Sequence, residues 1–249
     1  MTIPLMLLPG VIMPGQLRYG PLREALGPDV EAVIKDLEVY EGPSVPRAYS
    51  VETEVAGITR KADQVGFTRF HLYAHSGGGA FALAYVAVHP KRVLSLALDE
   101  PATDFSDEET AAIAALDQRM RQLSEDDAFT EFIRSSLRPG VEPPPRPAGS
   151  PPPWMAKRPA GLEAIKAAFL DHRVDRERWR GFAGPVYYSH GSLSAESCAL
   201  MRDRLAGVFP DFTSELFEGL HHFNTSHVAE PQRVAAALRR LWARAPGPT

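Results

Sequence analysis

A serine hydroxyl is a weak nucleophile until a base lies within hydrogen-bond reach and a third group orients that base. Ser76 is the residue around which such chemistry could be arranged. It lies in the stretch RFHLYAHSGGGAF, residues 69–81. Phe70, Leu72 and Ala74 alternate with Arg69, His71 and Tyr73, a pattern that suits a short strand, although so short a run also fits a buried helix. The run stops at His75-Ser76-Gly77-Gly78-Gly79, and an apolar, helix-like segment over 80–86 follows at once. A strand turning this sharply into a helix holds one residue in strained backbone and needs small neighbours. Ala74 and Gly78 flank Ser76 two residues to either side. The small-x-Ser-x-small spacing predicts a nucleophile elbow that lifts Ser76 above the end of a sheet. A glycine loop cradling phosphate at a helix N-terminus is the bland competitor. A Walker loop would need Gly-Lys-Ser/Thr at the helix start, and no lysine is present; the dinucleotide fingerprint needs glycines where Ala74 and Ser76 stand.

The flanking elements follow from hydrophobic periodicity. Residues 3–8 form a continuous apolar run, consistent with a strand buried on both faces, and end at Pro9-Gly10-Val11. A helix is expected around 20–26 and a second strand, mixed with charges and partly open to a helical reading, over 30–39. A helix over 51–65 places Val55, Ile58 and Ala62 at helical spacing, and 93–98 is the next buried strand. Strands alternating with helices predict an α/β fold with a mostly parallel, doubly wound sheet.

After Asp99-Glu100-Pro101 the rhythm breaks. Ser106-Asp107-Glu108-Glu109 is a capping-box pattern opening a helix with Ile113, Leu116, Met120 and Leu123 on one face. A second helix is expected over 128–137, a proline-rich extended loop over 140–153, and a third helix over 161–171 with Leu162, Ile165 and Phe169 buried. The sheet resumes at 185–189, followed by a helix over 194–208, a strand at 214–217 and a closing helix from Pro231 with Val234, Leu238 and Leu241 inward. The expected organisation is a core of residues 1–101 and 181–249 interrupted by a helical cap at 102–180.

A chain of 249 residues can bury one sizeable core, and its 44% hydrophobic and 23% charged residues are ordinary for a globular protein. A net charge of −4 with no basic run argues against nucleic-acid or anionic-membrane partners and leaves a small molecule as the expected ligand, with a homodimer open. The single cysteine, Cys198, excludes an internal disulfide and a cysteine-based zinc site, and no cofactor or metal is called for. The apolar N-terminus lacks a basic start and is broken by Pro4, Pro9, Gly10 and Pro14, so it is expected to be the first strand of a cytoplasmic protein, neither a signal peptide nor a membrane span.

On the elbow and this order of elements the chain resembles the α/β-hydrolases, with Ala74 in place of their usual first glycine. The resemblance implies about six strands, the sheet starting at the family's third strand because only two residues precede the first run. It also implies a base in the loop after the last strand, here Glu218-Gly219-Leu220-His221-His222-Phe223. His222, which precedes an aromatic, fits that register best; His221 is the runner-up and His227 reads as a surface or cap-contact residue. The family's oxyanion loop corresponds to Leu8-Pro9-Gly10-Val11. Its histidine is absent, but a backbone N–H suffices, which nominates Val11 beside Gly77.

The acid departs from the common pattern. Where relatives read Gly-x-x-Asp after the strand at 185–189, this chain reads Gly191-Ser192-Leu193-Ser194, and Ser194 is expected merely to cap the following helix. Some α/β-hydrolases carry the acid after the strand that follows the elbow helix, which points to Glu100, with Asp99 as runner-up and Glu196 and Asp203 as weaker candidates. Pro101 is expected to keep Glu100 extended. The implied activity is that of a serine hydrolase acting on an ester, thioester or lactone of a small to medium apolar substrate. Phe105, Phe129, Phe132, Trp154, Met155 and Phe169 are available to line its pocket. Lyase, C–C hydrolase or cyclase chemistry on the same Ser-His site, and a ligand-binding protein without catalysis, are the alternatives.

Overall fold

The computed structural model describes residues 2–103, 105–145 and 152–246. Part of the expected proline-rich loop, residues 146–151, lies outside the described residues. Six strands form one sheet in the order β2-β1-β3-β4-β5-β6, every pair parallel. They are β1 (Ile3–Leu8), β2 (Val30–Ile34), β3 (Phe70–His75), β4 (Val93–Asp99), β5 (Val186–Gly191) and β6 (Phe212–Phe217).

Strand alternation builds two cores from one sheet. Met6, Leu8, Leu72, Ala74, Leu96, Leu98, Val186 and Tyr188 face one side. Leu5, Leu7, Tyr73, Ala97 and Tyr187 face the other. The chain supplies helices in the order α1 (Gly15–Arg18), α2 (Gly20–Leu26), α3 (Glu38–Glu41), α4 (Val51–Gln64) and α5 (Gly77–Val88). After β4 come α6 (Asp107–Met120), α7 (Glu125–Ser135), α8 (Arg158–Asp171) and α9 (Arg176–Arg180). The last three are α10 (Ser197–Ala206), α11 (Ser226–Ala229) and α12 (Pro231–Arg244). Helices α4 and α5 cover the first core through Val55, Ile58, Phe81 and Tyr85, and α2 and α12 cover the second through Leu22, Leu26, Val234, Leu238 and Leu241. Because β1 is followed by β2 on one side and β3 on the other, strand order reverses between β1 and β3. In open parallel sheets a crevice opens at the carboxyl ends of such strands.

Several boundaries differ from sequence periodicity. The strand expected over 30–39 ends at Ile34, because Lys35 turns inward to pair with Glu38 at 2.9 Å and Glu41 at 3.1 Å on the short helix α3. The helix expected over 194–208 starts at Ser197, the strand expected at 214–217 starts at Phe212, and α7 starts at Glu125 on a Ser124 cap. The capping box of α6 is present, Ser106 Oγ accepting from the Glu109 N–H at 3.2 Å and Glu109 Oε2 from the Ser106 N–H at 2.6 Å. Its apolar face is not buried, however. Ile113 remains 39% exposed and no residue of α6 reaches the core. Helix α9 is exposed apart from its anchor: Trp179 is buried and its indole N–H donates to the Leu83 carbonyl of α5 at 3.1 Å.

Candidate active site

The turn from β3 into α5 places Ser76 at φ 53° and ψ −128°, a strained position for a residue with a side chain. The backbone around it holds that strain. The Ser76 N–H donates to the Asp99 carbonyl at 3.0 Å, and the Ser76 carbonyl accepts from Gly79 at 2.8 Å and Ala102 at 3.0 Å. The loop after β1 then packs directly on the helix start. A methyl at Gly77 would collide with the Val11 side chain, and one at Gly78 with the Pro9 carbonyl, so glycine is required at both by close approach. Tyr40 fixes the same loop by donating its hydroxyl to the Val11 carbonyl at 2.7 Å. The N–H groups of Gly77 and Val11 flank Ser76 without a protein acceptor among the described residues, at the positive end of α5.

His222, from the loop between β6 and α11, lies over Ser76 with Nε2 2.9 Å from Ser76 Oγ. Its Nδ1 lies 2.7 Å from Glu100 Oε2. A carboxylate only accepts, so Nδ1 carries the proton and Nε2 is left free to accept from the serine hydroxyl. Glu100 is 2% exposed, and its other oxygen accepts from Ser194 Oγ at 2.6 Å and from the Gly191 N–H at 2.7 Å. Every lone pair that faces protein therefore has a donor, which compensates the burial of the charge.

Two expectations fail here for physical reasons. Ser194 does not cap α10, whose N-cap is Glu196; Ser194 is 2% exposed and spends its hydroxyl on Glu100. Glu100 is not extended but sits at φ 48°, turned by its N–H donating to Ser189 at 3.1 Å and by the two donors that hold its carboxylate.

A second histidine–carboxylate pair lies one residue away. Asp99 points to the opposite face of the sheet end, and its Oδ2 lies 2.7 Å from His227 Nδ1, with Tyr73 Oη donating to Oδ2 at 3.3 Å and Ser189 Oγ to Oδ1 at 2.8 Å. His227 is therefore no surface residue: it is fully buried, because Arg18 Nε donates to its Nε2 at 3.0 Å and the ring packs 5.0 Å from Tyr19. Nε2 accepts from Arg18, so Nδ1–H donates to Asp99, and a neutral imidazole bridges a guanidinium and a carboxylate. Burial, aided by the Arg18 charge, pushes His227 down to about 4 despite the bond to Asp99. For Asp99, burial opposes ionisation, but the bonds from His227 and Ser189 and the charge of Arg18 outweigh it and hold the carboxyl below the usual range. Arg18 also donates through Nη2 to His75 Nε2 at 3.2 Å, Thr225 Oγ1 at 3.1 Å and the His222 carbonyl at 3.4 Å. His75 packs against His222 with centroids 4.8 Å apart and the rings tilted by 34°, and burial, reinforced by Arg18, keeps His75 neutral.

Ser76, His222 and Glu100 thus converge as the sequence predicts, with Gly77 and Val11 beside them. His221 turns away: its Nδ1 accepts from the Phe223 and Asn224 N–H groups of its own loop. Asp99 serves His227, and Glu196 and Asp203 are solvent-exposed on and before α10. The cleft over Ser76 is lined by Gly10, Val11, Arg18, Phe132, His222 and Phe223. Of the aromatic residues expected at the pocket, only Phe132 lines it; Phe169 packs on Phe81 at 5.2 Å and Phe105 is 36% exposed. Sequence patterns missed Arg18, Tyr40, Ser194 and His227. A signal existed for one of them, since two adjacent acids after a strand and three histidines over 221–227 leave room for two pairs. Among the described residues no helix is long and apolar enough to cross a membrane, and no group of three or more His, Cys, Asp or Glu could hold a metal ion.

The arrangement has the parts for nucleophilic attack by Ser76 and proton transfer through His222. A family model of the alpha/beta hydrolase fold matches residues 44–137. No curated protein matches the sequence. Among solved structures, the chain is similar to a thermophilic esterase from Thermogutta terrifontis, with a TM-score of 0.73 at 18% identity over 97% of this chain and 89% of that one. It is also similar to the carboxylesterase CesB from Bacillus subtilis, with a TM-score of 0.67 at 15% identity over 96% and 83% of the two chains. A third is the 2-hydroxy-6-oxo-6-phenylhexa-2,4-dienoate hydrolase of Rhodococcus sp. strain RHA1, with a TM-score of 0.69 at 16% identity over 97% and 91%. With its parallel six-stranded sheet and its serine elbow after the third strand, the chain belongs to the α/β-hydrolase fold.

Proposed function

We propose that the protein is a serine hydrolase that cleaves a carboxylic ester, thioester or lactone of a small molecule through an acyl-enzyme on Ser76. The observation that carries this reading is the unbroken hydrogen-bond chain from Ser76 Oγ to His222 Nε2, at 2.9 Å, and from His222 Nδ1 to Glu100 Oε2, at 2.7 Å. Ser76 Oγ attacks the carbonyl carbon while His222 Nε2 takes its proton, and Glu100 stabilises the imidazolium that results. The oxyanion forms beside the free N–H groups of Gly77 and Val11, where one such donor lowers the barrier by about 3 kcal/mol. The intermediate collapses as His222 returns the proton to the leaving oxygen (sulfur in a thioester), and a water activated by the same imidazole releases the acid. In this reading the helices between β4 and β5 form a cap whose Phe132 closes the apolar side of the cleft.

The test is stoichiometric labelling of Ser76 by a fluorophosphonate together with turnover of 4-nitrophenyl esters, with Ser76→Ala as the blank. Absence of both labelling and turnover in folded protein overturns the proposal. C–C bond hydrolysis is the second reading, supported by the likeness to the Rhodococcus enzyme. It predicts turnover of a vinylogous 1,5-diketone with weak ester turnover.

A further inference from the structure

Arg18 is the one charged side chain that lines the cleft over Ser76 and does not belong to the proton relay. It is 6% exposed, yet all the partners of its Nε and Nη2 are neutral: two imidazole nitrogens, a hydroxyl and a carbonyl. The carboxylate that balances it, Asp99, lies behind the His227 ring and makes no direct contact with it. Nη1, with two N–H groups, has no acceptor among the described residues. A buried guanidinium normally meets a carboxylate or phosphate in a direct, often two-pronged bond. Here the bonds to His75, His227 and Thr225 fix the plane of the group and leave one nitrogen unspent on a side chain that lines the same cleft as Ser76.

We propose that Arg18 is a specificity residue that receives a carboxylate carried by the substrate, so that the natural ester or lactone is acidic and not wholly apolar. The inference rests on the serine-hydrolase reading of the same cleft. A carboxylate on Nη1 replaces the water that would otherwise solvate those N–H groups, and it is held in a place where the low surrounding polarity strengthens the pair. The rest of the cleft, with Val11, Met13, Phe132 and Phe223, suits the carbon chain that joins this carboxylate to the scissile bond.

The experiment compares kcat/KM of the wild-type protein on matched pairs of neutral and acidic esters. One arm carries the acid on the acyl side, 4-nitrophenyl hydrogen glutarate against 4-nitrophenyl valerate. The other carries it on the alcohol side, 4-carboxyphenyl butyrate against 4-carbamoylphenyl butyrate. An advantage of about tenfold or more for the acid in either arm is expected, the size of one charge-assisted hydrogen bond. Glutarate should inhibit competitively and glutaramide should not. Arg18→Met should abolish the preference and the inhibition, and Arg18→Lys should retain part of both. Should Arg18→Met fail to fold, the wild-type ratios and the glutarate test still decide. Equal or lower kcat/KM for the acid in both arms, with no inhibition by glutarate, overturns the proposal and leaves the hydrolase intact. Loss of Ser76 labelling and of all ester turnover would instead sink the hydrolase reading.

Discussion

Two histidine–carboxylate pairs stand side by side in this molecule, built from adjacent acids at one strand end and from histidines in the loop after β6 and in the helix α11 that follows it. In both, Nδ1 meets a carboxylate oxygen at 2.7 Å. What differs is the other ring nitrogen. His222 Nε2 faces the Ser76 hydroxyl at the floor of a narrow cleft, whereas His227 Nε2 is occupied by the Arg18 guanidinium in a sealed interior. The pair alone does not make a base. A base needs a free lone pair, and Arg18 takes the one on His227.

Four experiments would break or sharpen this contrast. Glu100→Gln should lower kcat by on the order of 10³- to 10⁴-fold with little change in stability, because Oε1 must still accept from Ser194 and Gly191. The amide –NH₂ would then face His222 Nδ1 and force the tautomer in which Nε2 cannot accept from serine. Wild-type turnover in that variant would remove Glu100 from its role. Asp99→Asn should do the reverse. It strips a buried guanidinium of the stronger of its two nearby carboxylate charges, Glu100 being the other, and should cost about 3 kcal/mol in urea unfolding, while folded molecules keep their Ser76 labelling.

The pH dependence comes next. Burial holds His71 and His227 down to about 4 in the folded state against 6.5 ordinarily, so the unfolded chain binds more protons between those values. Stability should therefore be full above about pH 6.5 and fall as pH drops towards 4, by about 3 kcal/mol for each ring fully titrated. A flat urea midpoint between pH 7 and 4.5 would contradict this. Ser194→Ala is the mildest: Glu100 keeps the Gly191 N–H, so kcat should fall about tenfold or less, with KM unchanged. A loss as large as that of Glu100→Gln would mean that Ser194 does more than hold the carboxylate.

The parts of this site that were legible in the sequence are those carried by local patterns. The strand-to-helix turn at Ser76 announces itself through small neighbours, and the alternation of strands and helices places Glu100 and His222 at the same end of the sheet. The parts that were not legible are contacts between distant segments with no local signature. Arg18 sits in a four-residue helix and reads as an ordinary surface charge, yet its partners lie more than fifty residues away in sequence at His75 and farther still at His222, Thr225 and His227. Ser194 looks like a helix cap because serine is so often one. Its real partner became visible only when β4 and β5 were seen to pair with Asp99 opposite Ser189, which puts Glu100 beside Gly191. The unburied face of α6 is a converse case, in which periodicity foretold a helix but not what it packs against.

Carrying the acid on β4 has a mechanical corollary. Ser76 and Glu100 follow directly on β3 and β4 of a single β3–α5–β4 unit, tied together by the Ser76 N–H, which donates to the Asp99 carbonyl at 3.0 Å. Only the imidazole arrives from elsewhere, on the loop between β6 and α11. A shift of that loop by an ångström would break both hydrogen bonds of His222 while leaving Ser76 and Glu100 in register, so one member of the three is placed independently where a design with three independent loops would have three.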